Sequence, residues 1–118
     1  MSNESKLMEL YYFAIGDGNF LKALNRYCNR QGFGNEHIWC LFAGELEEWE
    51  EGYFGKEGVC YFFDYPAVEE DQTIVLDYPT FYNYLKEASA KYLLNHPNDK
   101  NEVEERLEKI KEMLHILK

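Results

Sequence analysis

Three histidines, three cysteines and 22 carboxylates are the side chains of this 118-residue chain whose types could do chemistry, and their spacing limits which chemistry. His37, His96 and His115 lie far apart, and none has a second His, Cys or carboxylate at a ligand interval such as HxxxH or HExxH. Cys28, Cys40 and Cys60 make no CxxC or CxxH pair. They read as reduced thiols of a cytosolic protein rather than as a disulfide framework or a zinc site. Asp17-Gly18-Asn19 has the look of a calcium loop, but no Glu stands at the twelfth position that an EF-hand requires. A turn with a cap explains it. There is no GxSxG, no evident Cys–His partnership, and no Walker or dinucleotide loop; Gly52, Gly55 and Gly58 read as loop residues. Hydrolysis by paired carboxylates needs two acids singled out in a cleft, and nothing here singles out two. The chain is therefore read as not an enzyme, with no catalytic residue, no metal site and no cofactor.

The carboxylates carry a different signal. Residues 44–80 hold eleven acids, Glu45, Glu47, Glu48, Glu50, Glu51, Glu57, Asp64, Glu69, Glu70, Asp71 and Asp77, with Lys56 as the one base. That stretch accounts for the whole formal net charge of −10, because acids and bases cancel both before and after it. Trp49, Tyr53, Phe54, Tyr61 and Tyr65 are interleaved with the acids. A neutral body with one concentrated anionic stretch predicts a surface built for a basic partner. The candidate partner-binding residues are Glu45, Glu47, Glu48, Glu50, Glu51, Glu69, Glu70 and Asp71 for steering and ion pairing, with Trp49, Tyr53 and Tyr65 as anchors. For Trp49, Tyr53 and Phe54 a second reading stands beside this one, in which the rings fold back to staple their own loop. The same acidity disfavours direct nucleic-acid binding, which needs clustered Lys and Arg, and disfavours anionic membrane surfaces.

These residues must be positioned by one domain, residues 1–118, long enough to bury a core and too aromatic to be disordered. Met1–Glu9 contains no signal-peptide-like apolar stretch, and no run approaches the ~20 apolar residues of a membrane span. Leu7, Leu10, Tyr11 and Ala14 predict a helix over roughly 4–15. Gly16 to Asn19 forms a turn in which Asn19 caps a second helix carrying Phe20, Ala23, Leu24 and Tyr27, stopped by Gly32 and Gly34. These two helices are expected to pack as a hairpin. Residues 37–42, 59–63 and 73–76 read as three strands. The connection from Gly44 to Gly58 is expected to include a helical turn around Glu45–Glu51. Pro79 suits the first turn of a third helix, with a stripe of Phe81, Leu85, Ala88 and Tyr92. His96-Pro97-Asn98-Asp99 breaks it, and a fourth helix carries Val103, Leu107, Ile110, Leu114 and Leu117. Phe20, Phe42, Phe62 and Phe81 are assigned to the core. The fold class is α+β, a small antiparallel three-stranded sheet packed with helices, in the order α-α-β-β-β-α-α.

In this arrangement the chain resembles the CdiI immunity proteins of bacterial contact-dependent growth inhibition systems, the group that protects against ribonuclease toxins. The resemblance rests on Ile15-Gly16-Asp17-Gly18-Asn19-Phe20, on Gly58-Val59-Cys60-Tyr61-Phe62-Phe63-Asp64, on Asp77-Tyr78-Pro79-Thr80-Phe81-Tyr82-Asn83-Tyr84-Leu85, and on His96-Pro97-Asn98-Asp99-Lys100. It implies a cytosolic, non-catalytic protein that binds the C-terminal nuclease domain of a cognate toxin and blocks its basic active-site or RNA-binding surface. It carries over no functional residue, and it leaves the toxin's identity and the oligomeric state open. Two other classes stand beside it: an acidic binding module or nucleic-acid mimic acting on a DNA-binding protein, and a small enzyme with a cleft assembled from distant residues.

Overall fold

Asp77 sets the start of the longest helix. Its Oδ1 accepts the Thr80 N–H at 2.9 Å, Pro79 occupies the first turn, and helix α3 runs from there over Tyr78–Asn95. Hydrogen bonds from the Thr80 hydroxyl and N–H hold the Asp77 carboxyl below its usual value. A depressed folded value means the cap contributes fully above the ordinary carboxylate pKa of about 4 and is lost as pH falls through the folded value.

The computed structural model describes residues 3–115, and among these the order is α1 (Asn3–Ile15), α2 (Phe20–Tyr27), β1 (Ile38–Phe42), β2 (Val59–Phe63), β3 (Gln72–Leu76), α3 and α4 (Lys100–Met113). Short 3-10 turns at Asp17–Asn19 and Pro97–Asp99 join α1 to α2 and α3 to α4. The α+β reading and its element order hold. Leu117, expected on the last helical stripe, lies outside the described residues.

The sheet is antiparallel throughout, in the order β1-β2-β3. Its register aligns Ile38, Phe63 and Gln72 at one end and Phe42, Val59 and Leu76 at the other. Side chains alternate between faces along a strand. One face therefore presents Ile38, Cys40, Phe42, Val59, Tyr61, Phe63, Gln72, Ile74 and Leu76, and all but the half-buried Gln72 and Ile74 are buried. The apolar ones pack with Tyr11, Leu24, Tyr27, Phe81, Leu85, Val103 and Ile110 of the helices into a single apolar cluster. Phe81 makes edge contacts with Tyr27 and Phe42, with ring centroids 5.4 and 5.3 Å apart. The Tyr11 hydroxyl contacts the Tyr27 hydroxyl and donates to the Phe33 carbonyl at 2.9 Å, so α1, α2 and the approach to β1 share one buried polar junction.

Several local expectations change. Asn19 does not cap α2; its Nδ2 donates to the Ile15 carbonyl at 2.9 Å and ties the turn back to α1. Helix α2 stops at Tyr27, ahead of the glycines, and Arg30 takes the left-handed conformation with φ 55°. The expected α1–α2 hairpin is joined through its 3-10 turn, but α2 runs mainly along α4. Gly32 and Gly34 serve close approach instead. Their backbone lies directly on β1, where a Cβ on Gly32 would meet the Cys40 carbonyl oxygen at 1.8 Å.

Candidate partner-binding surface

The sheet topology divides the acidic stretch in two. The β1–β2 connection, residues 43–58, leaves the sheet at the Phe42/Val59 end, and the β2–β3 connection, residues 64–71, leaves it at the Phe63/Gln72 end. Five-residue strands separate the two by about 13 Å. Glu45–Glu51 and Glu69–Asp71 are therefore two acidic lobes at opposite ends of the sheet rather than one patch.

The first lobe contains no helix. Turn hydrogen bonds from Glu50 N–H to the Glu47 carbonyl (2.9 Å) and from Tyr53 N–H to the Glu50 carbonyl (3.1 Å) shape it, and the Glu50 carboxylate accepts the Glu47 N–H at 2.6 Å. Intervening glycines with positive φ, among them Gly44 and Gly52, favour successive turns over the helical turn expected here. In the second lobe Asp71 Oδ1 accepts the Tyr65 N–H at 2.8 Å and closes the loop.

Glu45 has a structural task of its own. Its Oε2 accepts both the Gly32 N–H at 2.9 Å and the Phe42 N–H at 2.6 Å, which fastens the 32–34 segment to the end of β1. Hydrogen bonds to a charged acceptor contribute about 1.5–3 kcal/mol each, and donors left without one cost a comparable amount. Glu45→Ala is expected to lower stability by about 2 kcal/mol in a denaturant titration. Glu45→Gln, which keeps an acceptor oxygen in place, is expected to lose less than half of that.

Three of the eight candidate acids are thus engaged by the protein's own backbone. The carboxylates of Glu47, Glu48, Glu51, Glu69 and Glu70 accept no hydrogen bond and form no ion pair within the described residues. All five residues are exposed. The ion pairs among the described residues lie elsewhere, at His96–Asp17 and at Arg106 with Glu102 and Glu105. Among the described residues, no ion pair offsets the charge of the lobes.

The aromatic candidates separate by exposure. Trp49 is 81% and Tyr65 69% exposed, one in each lobe, while Tyr53 and Phe54 are half-buried. Trp49 does not fold back to staple its loop. Tyr61, counted with them from the sequence, points into the core and is fully buried. Phe62 moves the other way: it stands on the opposite face from the core, stacked on Trp39 at 5.0 Å and 11°.

The histidines and cysteines acquire no shared site. His96 lies on Tyr92 with centroids 4.3 Å apart and Nε2 3.1 Å from Asp17 Oδ2, both partners solvent-accessible, so it fastens the α3–α4 turn to the α1–α2 turn. Burial pushes the Cys40 and Cys60 thiols up to about 11, which keeps both protonated at neutral pH. No group of three or more His, Cys, Asp or Glu side chains among the described residues could hold a metal ion. A groove of about 650 Å³ runs between α1 and α3, with Tyr12, Phe20, Tyr84 and Tyr92 in its walls and Glu9, Glu87 and Lys91 beside them. No helix among the described residues is long and apolar enough to cross a membrane.

The family model described as CDI immunity protein matches residues 4–107, most of the chain and all of the elements above except the first residue of α1 and the end of α4. No curated protein matches the chain.

Proposed function

We propose, from the premise that this chain belongs to the CDI immunity protein family and so neutralises a CDI toxin, that its target is the ribonuclease domain of a cognate toxin. The two acidic lobes occupy the target's basic active-site or RNA-binding surface. The observation that carries this reading is the set of five exposed carboxylates, Glu47, Glu48, Glu51, Glu69 and Glu70, that have no cationic partner among the described residues. Like charges held this close cost stability when nothing offsets them, and a cationic cleft offsets them on binding. Carboxylates can stand where the phosphates of RNA would stand. Glu45, Glu50 and Asp71 hold the lobes in shape, while Trp49, Tyr53 and Tyr65 provide the anchors.

Inhibition of this kind is stoichiometric and needs no catalysis, and the protein acts in the cytoplasm, where the delivered toxin meets its RNA. The test is to titrate the protein into the toxin's nuclease domain and follow RNA cleavage. Complete protection at one-to-one stoichiometry, weakened at high salt, is the expected result. Undiminished cleavage with the protein in several-fold excess would remove the ribonuclease reading and favour an acidic module acting on a DNA-binding protein.

A further inference from the structure

We infer that the helix-free face of the sheet is the apolar centre of the toxin interface, with the two acidic lobes as its charged rim. This rests on the neutralising role proposed above. The register places Trp39, Phe62 and Thr73 in one row across the outer face and Leu41, Cys60 and Val75 in the next. An antiparallel sheet with one face on the core ordinarily turns polar side chains outward. Here five of the six outward positions are apolar or aromatic, and the helices pack on the other face. Trp39, Leu41 and Phe62 belong neither to the core cluster nor to the half-buried residues packed against it. Trp39, Leu41 and Phe62 are half-buried, Cys60 is buried, and Val75, on the edge strand, is 51% exposed.

Charge selects the occupant. A second copy of this chain would bring two segments of formal charge −10 together at the ends of the sheets, and an anionic lipid surface would be repelled in the same way. A basic protein surface with an apolar centre is matched on both counts. Size points the same way. The face measures roughly 13 by 10 Å, on the order of 150 Å², against about 800 Å² per partner in a stable complex. The face alone is too small, so a partner seated on it must extend over both lobes. The result is the usual anatomy of a protein interface, a desolvated aromatic centre inside a polar rim.

The test measures binding of the purified toxin nuclease domain to the full chain and its variants. Val75→Lys sets a cation on the edge strand of the face, opposite a basic partner, at an exposed position the fold can accommodate. It is expected to raise Kd by about 100-fold, mostly through faster dissociation, and Trp39→Ala by about 30-fold. Val75→Thr is expected to stay within about threefold. Side-chain footprinting of the wild-type complex gives a readout that does not depend on the variants folding: protection of Trp39, Phe62 and Val75 is expected. Unchanged labelling of these residues, or a folded Val75→Lys variant that binds like wild type, would overturn the inference while leaving the toxin reading intact if protection persists. A wild-type dimer that Val75→Lys splits would assign the face to a second copy and likewise overturn it. Failure of the wild-type chain to protect RNA would remove the inference together with the function it rests on.

Discussion

Changing Glu47, Glu48 and Glu51 to Gln will slow association with the toxin by about tenfold at low salt, and adding Glu69→Gln and Glu70→Gln by about tenfold again. Dissociation will change far less than association. These five carboxylates are exposed and have no partner among the described residues, so their field reaches an approaching cationic surface. The sheet ends from which the lobes leave are about 13 Å apart, beyond the ~8 Å screening length at physiological ionic strength. Each lobe therefore steers largely by itself, and the two sets of substitutions are expected to add on a logarithmic scale. Raising salt to about 0.5 M will bring wild type and variants together. Trp49→Ala gives the contrasting signature, because an exposed ring that becomes buried acts on the bound state: association nearly unchanged, dissociation faster by about tenfold or more. Stopped-flow association at several salt concentrations reads all of this. If the five-fold Gln variant associated at the wild-type rate, the lobes would be a solvated face and no more.

Gly32→Ala is the second large effect, and it acts on the fold. The added Cβ would stand 1.8 Å from the Cys40 oxygen, 2.6 Å from its carbonyl carbon and 3.0 Å from the Leu41 Cα. All three are backbone atoms of β1, so no rotamer change relieves the clash and the 32–34 segment must lift away. Lifting it breaks the bonds from Gly32 N–H to Glu45 and from Cys40 N–H to the Phe33 carbonyl. Overpacking alone costs about 1–3 kcal/mol, and the lost hydrogen bonds add to it. The expected loss is about 3 kcal/mol or more, a drop in Tm of more than about 10 °C. Gly18→Ala is the control: nothing lies within 4 Å of its would-be Cβ, and its φ is not in the left-handed range. A calorimetric scan in which Gly32→Ala melted with Gly18→Ala would contradict the close approach.

Gly32 also shows where the sequence misleads. Read along the chain, Gly32 and Gly34 are helix stops; in space they are side-chain-free positions that let a loop lie on a strand. The same holds for Glu45. By composition it is one more acid in an acidic run, and its role depends on two N–H groups, of Gly32 and Phe42, that the fold brings to it. Neither signal is local, so neither could be read from periodicity.

What the sequence determined by itself was the order of elements, the helix start at Asp77-Tyr78-Pro79, the helical stripes of α3 and α4, and the confinement of the whole net charge to residues 44–80. These depend on neighbours within a few residues: a cap and its acceptor, a repeat of three and four, a count of charges. Only the tertiary structure decided that the acidic run becomes two lobes, that Tyr61 faces the core while Phe62 and Trp39 face outward, and that three of the acids serve the backbone. Val59-Cys60-Tyr61-Phe62-Phe63 is apolar at every position, so its alternation carries no contrast from which to tell one face from the other. The side that the helices cover chooses, and that is a property of the assembled chain.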